Sequence, residues 1–152
     1  MLFNSPIFLF AFLPATVGLY ILLLQFAGPR AVFLIDIENP CWIFPAVDLS
    51  RPRTFTAAVG QLPFNFQLGR EAAEIKLSPP RTPAGELEVR LDGCDRSPVA
   101  VLTLAPAVDN DAVTVLPAAL LPPQPGAHTL CLRFTQRTLD PMWALDWVQL
   151  SP

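Results

Sequence analysis

The sequence has few charged side chains, and none at its beginning. Charged residues make up 15% of the 152-residue chain and apolar residues 52%. Arg30 is the first charged residue, so the preceding segment differs physically from everything after it. The formal net charge is −3 and the isoelectric point is about 5.0, which argues against the basic surface that nucleic-acid binding requires. We therefore expect two different parts and no nucleic-acid partner.

The sequence also lacks the motifs of common catalytic centres. It contains no Gly-x-Ser-x-Gly, no phosphate-binding loop and no His-Glu-x-x-His. The single histidine, His128, opens a predicted strand, where a turn or capping role is the usual one. A glycosidase would need a paired acid and base in a cleft, and a domain of this size has little room to build one. We expect a chain that is not an enzyme and that carries no cofactor.

Residues 7–26 form a long apolar run with few polar side chains. A helix of about 20 residues crosses a bilayer core of about 30 Å, and a membrane helix tolerates a proline such as Pro14. The run predicts a transmembrane helix over residues 1–30, a linker over 31–38 and a domain over 39–152. A cleaved signal peptide is an alternative, although it usually has a basic start and a shorter apolar run. An error in assigning the gene start is another.

The orientation of this predicted single span is open. Arg30, Arg51 and Arg53 follow the span and favour a cytoplasmic C-terminus. The cysteines favour the oxidising side. We therefore expect a single-pass protein of a bacterial inner membrane, with the side of its domain undecided.

Residues after the linker alternate with a period of two. Leu87, Val89 and Leu91 share one face of residues 86–91, and the charged residues between them share the other, as in a half-buried strand. Further strands are predicted over 99–104, 128–135 and 144–150, and weaker ones over 42–47, 55–59, 64–68 and 112–116. Since 18 prolines disfavour long helices, the pattern predicts an all-β sandwich of about eight short strands.

The order of several segments carries a resemblance. The segments are Val47-Asp48-Leu49, residues 55–59, residues 85–93, residues 126–134 and the closing Trp143-Ala144-Leu145-Asp146-Trp147. This order resembles a family 6 carbohydrate-binding module, which implies a jelly-roll sandwich. Over residues 36–151, further segments resemble the C-terminal accessory domain of bacterial family 20 β-N-acetylhexosaminidases. Those segments are Asn39-Pro40-Cys41-Trp42, residues 62–66 and Asp92-Gly93-Cys94-Asp95. The catalytic barrel of those enzymes is absent from this sequence.

Aromatic residues are the candidate ligand contacts, because sugars stack on flat aromatic rings. Trp42, Phe64, Phe66 and Trp143 lie at predicted strand ends or beside Pro and Asn, whereas Trp147 is predicted to pack in the core. The family 6 resemblance places a sugar-contacting asparagine where this sequence has Ala144, which offers no hydrogen bond.

The same resemblance implies a structural calcium ion, for which the matching positions are Asp36, Glu38 and Asp146. Ordinary surface acids are the alternative at these positions. The three cysteines, Cys41, Cys94 and Cys131, allow one disulfide in any of three pairings. Cys131 has the opposite parity from Leu130 and Leu132 and is predicted to face away from the core.

A second resemblance covers residues 1–34. Segments at residues 1–5, 8–10 and 12–14 resemble the N-terminus of membrane-bound O-acyltransferases of the alginate-acetylation type. That family needs many further spans and an intramembrane histidine, and this chain has neither. The resemblance implies membrane insertion without acyl transfer.

Three functions are consistent with these features. The first is a non-catalytic, membrane-anchored β-sandwich module that binds glycan. The second is a structural or interaction domain of a membrane protein, with a partner protein that the sequence does not identify. The third is a relic fusion of an acyltransferase start with a hexosaminidase C-terminal domain.

Overall fold

A computed structural model describes residues 41–64, 69–70 and 75–152. The chain divides into two units, Met1–Ala31 and Val32–Pro152, and all described residues belong to the second. The transmembrane helix predicted over residues 1–30 and the linker over 31–38 lie outside the described residues. Within the described residues, no helix has the length and apolarity needed to cross a bilayer.

The described part of the chain is all-β, as the alternating pattern predicted. It contains eight strands and a 3₁₀ turn at Ala105–Ala107. The strands are β1 (Cys41–Asp48), β2 (Arg53–Leu62), β3 (Glu86–Leu91), β4 (Pro98–Thr103), β5 (Thr114–Val115), β6 (Ala119–Leu121), β7 (Ala127–Thr135) and β8 (Met142–Ser151).

The strands form two antiparallel sheets. The first sheet has the order β1-β7-β3-β4. In the second, β2 pairs with β8 along one edge and with β5 and β6 in succession along the other. Buried residues from both sheets form one hydrophobic core, as expected for a β-sandwich.

The alternation of apolar and polar residues explains which side chains of the central strands face the core. Leu87 and Val89 of β3 are fully buried in the core beside Leu132 of β7. At about 25 cal/mol per Å² of buried apolar surface, each such side chain stabilises the fold by roughly 1.5–3 kcal/mol. The predicted turn after β3 is also present, because Asp92 adopts φ 57° and Gly93 φ 151°.

Most predicted strands are confirmed, with small shifts at their ends. The weak strand predicted over 64–68 is not confirmed, because Phe64 lies outside any strand and residues 65–68 are outside the described residues. Strand β6 was not predicted. It has three residues and lies between prolines, so it is too short to show a period.

The prediction that Trp147 packs in the core is wrong. Trp143 and Leu145 face the core, but the β2–β8 register shifts between Ala58 and Val59. The extra residue in β8, Asp146, reverses the parity of the strand, so Trp147 faces outward and is 40% exposed. One bulge therefore undoes a prediction that assumed unbroken alternation.

Candidate functional site

A cleft of about 710 Å³ lies at one end of the sandwich. It is lined by Gln61 near the end of β2, by Trp143 at the start of β8, by the loop that precedes β3, by residues around the 3₁₀ turn and by the β7–β8 connection. Strand ends and loops of both sheets meet here, which is where a sandwich commonly places its variable side chains.

The polar side chains in this cleft come mainly from loops. Asp109, Arg137 and Thr138 are exposed, and the Thr138 hydroxyl donates to the Asp140 carbonyl over 2.8 Å. Gln61 Nε2 donates to the Ala107 carbonyl over 2.7 Å and so ties β2 to the 3₁₀ turn. Among the lining residues, Asp109 is the one carboxylate. The cleft thus offers charged and hydroxyl groups at its rim but one carboxylate for proton transfer.

One wall of the cleft, residues 80–85, is held by the buried Glu86. The Glu86 carboxylate accepts hydrogen bonds from the backbone N–H of Arg81 (3.1 Å) and Thr82 (2.7 Å) and from the Thr135 hydroxyl. Burial raises the pKa of Glu86, but these hydrogen bonds outweigh it and hold that pKa below its ordinary value. The carboxylate therefore stays charged near neutral pH and fixes the loop.

Gly85 lets this wall approach β7 closely. Its φ is +80°, and a Cβ placed there would lie 2.3 Å from the Thr135 carbonyl oxygen. Only glycine accommodates both the conformation and the contact.

Trp143 is the one predicted ligand contact that the structure places in the cleft. It is 7% exposed, and its ring stacks on Phe134 with centroids 6.2 Å apart at an interplanar angle of 27°. One face of the ring is therefore covered by Phe134, and the residue also lines the cleft. Trp143 shapes the cleft and stabilises the sandwich at the same time.

The other two predicted aromatic contacts that the structure describes, Trp42 and Phe64, are not among the lining residues. Trp42 is half-buried and packs edge-on against Phe134, with centroids 5.4 Å apart. Phe64 is half-buried, and its backbone N–H donates to Asp140 Oδ1 over 3.1 Å, beside the cleft residue Pro141. Phe66 lies outside the described residues. Among the described aromatics, the structure therefore does not gather Trp42, Phe64 and Trp143 into one binding surface.

Ala144, where the family 6 resemblance expects asparagine, is fully buried opposite Gly60. The polar side chain nearest to it in the ladder is Gln61, which pairs with Trp143 and lines the cleft. Sequence reasoning missed Gln61, Asp109, Arg137 and Thr138. Asp109, Arg137 and Thr138 lie in loops that carry no periodic signal, and Gln61 stood beyond the predicted end of its strand.

The proposed calcium positions stay untested. Asp36 and Glu38 lie outside the described residues, and Asp146 is half-buried in the β8 bulge.

Among the described residues, the one grouping of three or more potential metal ligands is Cys41, Cys94 and Cys131. Of the three pairings that the sequence left open, the structure joins Cys94 to Cys131, with a Cα–Cα distance of 5.3 Å. Cys131 is 1% exposed but is not among the residues of the hydrophobic core cluster, and its disulfide leads to the β3–β4 turn.

At the end of the first sheet away from the cleft, His128 pairs with Asp92. The distance from His128 Nδ1 to Asp92 Oδ2 is 2.8 Å, and Asp92 Oδ1 accepts the Thr129 backbone N–H over 3.0 Å. The Asp92 hydrogen bond raises the pKa of His128. The pair ties the β3–β4 turn to the start of β7, in agreement with the turn role predicted for this histidine.

No family model matches this chain, and no curated protein matches it. One solved structure that resembles it is a glycoside hydrolase family 43 arabinoxylan arabinofuranohydrolase from Bacillus subtilis, in complex with cellotetraose. The two share 20% sequence identity with a TM-score of 0.50, over 73% of this chain. The match covers 19% of that enzyme, so it shows a shared β-sandwich fold over a small part of the larger protein.

Proposed function

We propose that the β-sandwich is a non-catalytic module that binds glycan in the cleft floored by Trp143. The observation that supports this most directly is the cleft of about 710 Å³, large enough for a short oligosaccharide. Its lining combines the aromatic residue Trp143 with the exposed residues Arg137, Thr138 and Asp109. Sugars need this combination of apolar surface and hydrogen-bonding rim.

A binding role is favoured over hydrolysis by the chemistry of the lining residues. Glycosidases use two carboxyl groups about 5–9.5 Å apart. The described lining of this cleft contributes Asp109 alone. The module therefore holds a sugar without cleaving it, as expected for a jelly-roll of the family 6 type or a hexosaminidase-like accessory domain.

The same proposal assigns residues 7–26 to a helix that anchors the module in a bacterial inner membrane. The charge-free apolar run supports this assignment. Tethering would confine the module to polymers close to that membrane. Protease protection of the domain in spheroplasts, compared with intact cells, would reveal its side.

Affinity electrophoresis of the detergent-solubilised full chain tests the glycan proposal. The gels would contain arabinoxylan, a soluble β-glucan or glycol chitin, and cellotetraose would serve as a soluble competitor because the structural neighbour holds it. We expect retardation by at least one polymer. Arg137→Ala should weaken binding by roughly tenfold, since a hydrogen bond to a charged group contributes about 1.5 kcal/mol.

The matched control is Arg51→Ala, because Arg51 is exposed in the β1–β2 connection and does not line the cleft. Trp143→Ala is a poor probe, since its loss would disturb the core as well as the cleft. Absence of retardation by every polymer would contradict the proposal and favour the interaction-domain alternative. Equal retardation of Arg137→Ala and wild type would place any glycan site elsewhere.

A further inference from the structure

Three sulfur atoms meet on the outer side of the first sheet. The Sγ atoms of Cys41, Cys94 and Cys131 all lie within 4.8 Å of one another. Two of them form the Cys94–Cys131 disulfide. Cys131 is buried, whereas Cys41 and Cys94 are half-buried and within reach of solvent. A third cysteine so close to a disulfide has the proximity that thiol–disulfide exchange requires.

The strand register explains how the three residues come together. On β1 and β7, Cys41 lies opposite Arg133 and Ile43 lies opposite Cys131, so Cys41 and Cys131 are diagonal neighbours on one face. Cys94 follows β3 in the turn that leads to β4, and its carbonyl accepts a hydrogen bond from Arg133 Nη1 over 3.4 Å. The turn thus lies over β7 and brings Cys94 close to both strand cysteines.

We propose that this cluster is a thiol–disulfide exchange site in which Cys41 and Cys131 alternate as the partner of Cys94. The Cys41 thiol loses its proton to solvent, and its sulfur attacks Cys94 Sγ. A Cys41–Cys94 bond forms as the Cys94–Cys131 bond breaks. The electron pair of the broken bond leaves on Cys131 Sγ, which takes up a proton. The number of disulfides is unchanged, so no external oxidant or reductant is needed.

Geometry favours Cys94 over Cys131 as the sulfur that is attacked. Diagonal positions on neighbouring strands have Cα atoms about 7–8 Å apart, beyond the usual disulfide range of about 4.4–6.8 Å. Cys41 and Cys131 occupy such diagonal positions in the sheet. Cys94 lies in a turn instead, and a turn can adjust to either partner. Exchange would move the cross-link of the β3–β4 turn from the inner strand β7 to the edge strand β1.

Peptide mapping of the full chain tests this site. Trypsin cleavage after Arg30, Arg53, Arg90, Arg96 and Arg133 places the three cysteines on separate peptides, 31–53, 91–96 and 97–133. The folded protein is equilibrated near pH 8, quenched in acid, alkylated in denaturant and analysed by mass spectrometry without reduction. We expect two linked species in the wild type, Cys94–Cys131 and Cys41–Cys94, with the corresponding alkylation of Cys41 and of Cys131.

Three single variants separate the roles of the cysteines. Cys41→Ser should retain Cys94–Cys131 alone, and Cys131→Ser refolded with oxidised glutathione should form Cys41–Cys94 in its place. Cys94→Ser should leave Cys41 and Cys131 both alkylated, because the diagonal pair is too far apart to bond.

Alkylation of both Cys41 and Cys94 in the Cys131→Ser chain would overturn the proposal. If the Cys131→Ser chain fails to fold, the wild-type protein still tests the exchange proposal. Detection of Cys94–Cys131 alone, with alkylation of Cys131 no higher than in Cys41→Ser, would overturn it equally.

Discussion

The outward faces of the two sheets differ sharply in chemistry. On the first sheet, Glu88 is buried between Arg81, 3.4 Å away, and Arg90, while Glu86 is sealed by hydrogen bonds. Each ion pair recorded among the described residues involves this sheet or its connections. On the second sheet, Val115 and Trp147 flank the small Ala58 of β2, and both are exposed.

The first face also exposes Ile43 and Val101, so what distinguishes it is its set of buried and paired carboxylates. The first face satisfies its polar groups within the fold, and a disulfide crosses it. The second leaves apolar side chains in contact with solvent, including Leu120 at 68% exposure. Substitutions of the buried carboxylates on the first face should therefore cost stability, and substitutions of exposed residues on the second should cost little.

Glu86→Ala should cause the largest loss of stability among substitutions on these two faces. It removes the acceptor for two backbone N–H groups and the Thr135 hydroxyl, and Glu86 is 2% exposed. Leaving such donors without their charged partner costs about 2–4 kcal/mol. Urea denaturation followed by circular dichroism measures this loss.

Gln149→Ala, on the exposed outer side of β8, is the control from the second sheet, with an expected change within about 0.5 kcal/mol. The lowered pKa of Glu86 adds a pH signature. Its stabilisation is present above the ordinary value of 4.5 and is lost as the pH falls through the lowered value. Equal losses for both variants, or the same acid dependence in Glu86→Ala and wild type, would refute the contrast between the faces.

Trp147→Ala should have a much smaller effect than its size suggests. Trp147 packs beside Ala58 on the open face, and its loss should lower stability by no more than about 1 kcal/mol. Trp143→Ala, on the inner side of the same strand, should cost about 3–5 kcal/mol. Circular dichroism is again the suitable probe, because both changes alter the fluorescence. Comparable losses would mean that the β8 bulge does not turn Trp147 outward.

The His128–Asp92 pair should give the smallest effect, detectable chiefly through pH. The hydrogen bond from Asp92 raises the pKa of His128 above 6.5. Its stabilising contribution is complete below 6.5 and is lost as the pH rises through the raised value. Since His128 is the only histidine in the sequence, its ring protons can be titrated by NMR without assignment.

Asp92→Asn is the matched variant, because asparagine tolerates the φ of 57° at this position. It should return the pKa of His128 towards 6.5 and flatten the stability profile above that pH. An unchanged titration curve in Asp92→Asn would show that the pair does not form in solution.

The fold was predictable wherever alternation was unbroken. In β3, one face packs in the core and the other is polar, so the predicted strand over residues 86–91 has the same ends as the observed one. Prediction failed where one residue changed the parity, at Asp146 in β8, because bulges depend on pairing between distant strands. The candidate cleft was largely unpredictable, since Asp109, Arg137 and Thr138 converge from separate loops. The cysteine pairing likewise depended on which turn lies over β7.

The arrangement of the three tryptophans makes the two sides of the sandwich optically distinct. Trp42 and Trp143 contact Phe134 from β1 and β8, so their indoles sense the junction between the sheets. Trp147 senses solvent. A Trp147→Phe chain would emit only from the half-buried Trp42 and the buried Trp143, and its emission maximum would lie to the blue of the wild type. Collisional quenchers such as iodide would then report the opening of the sheet–sheet junction separately from events at the surface.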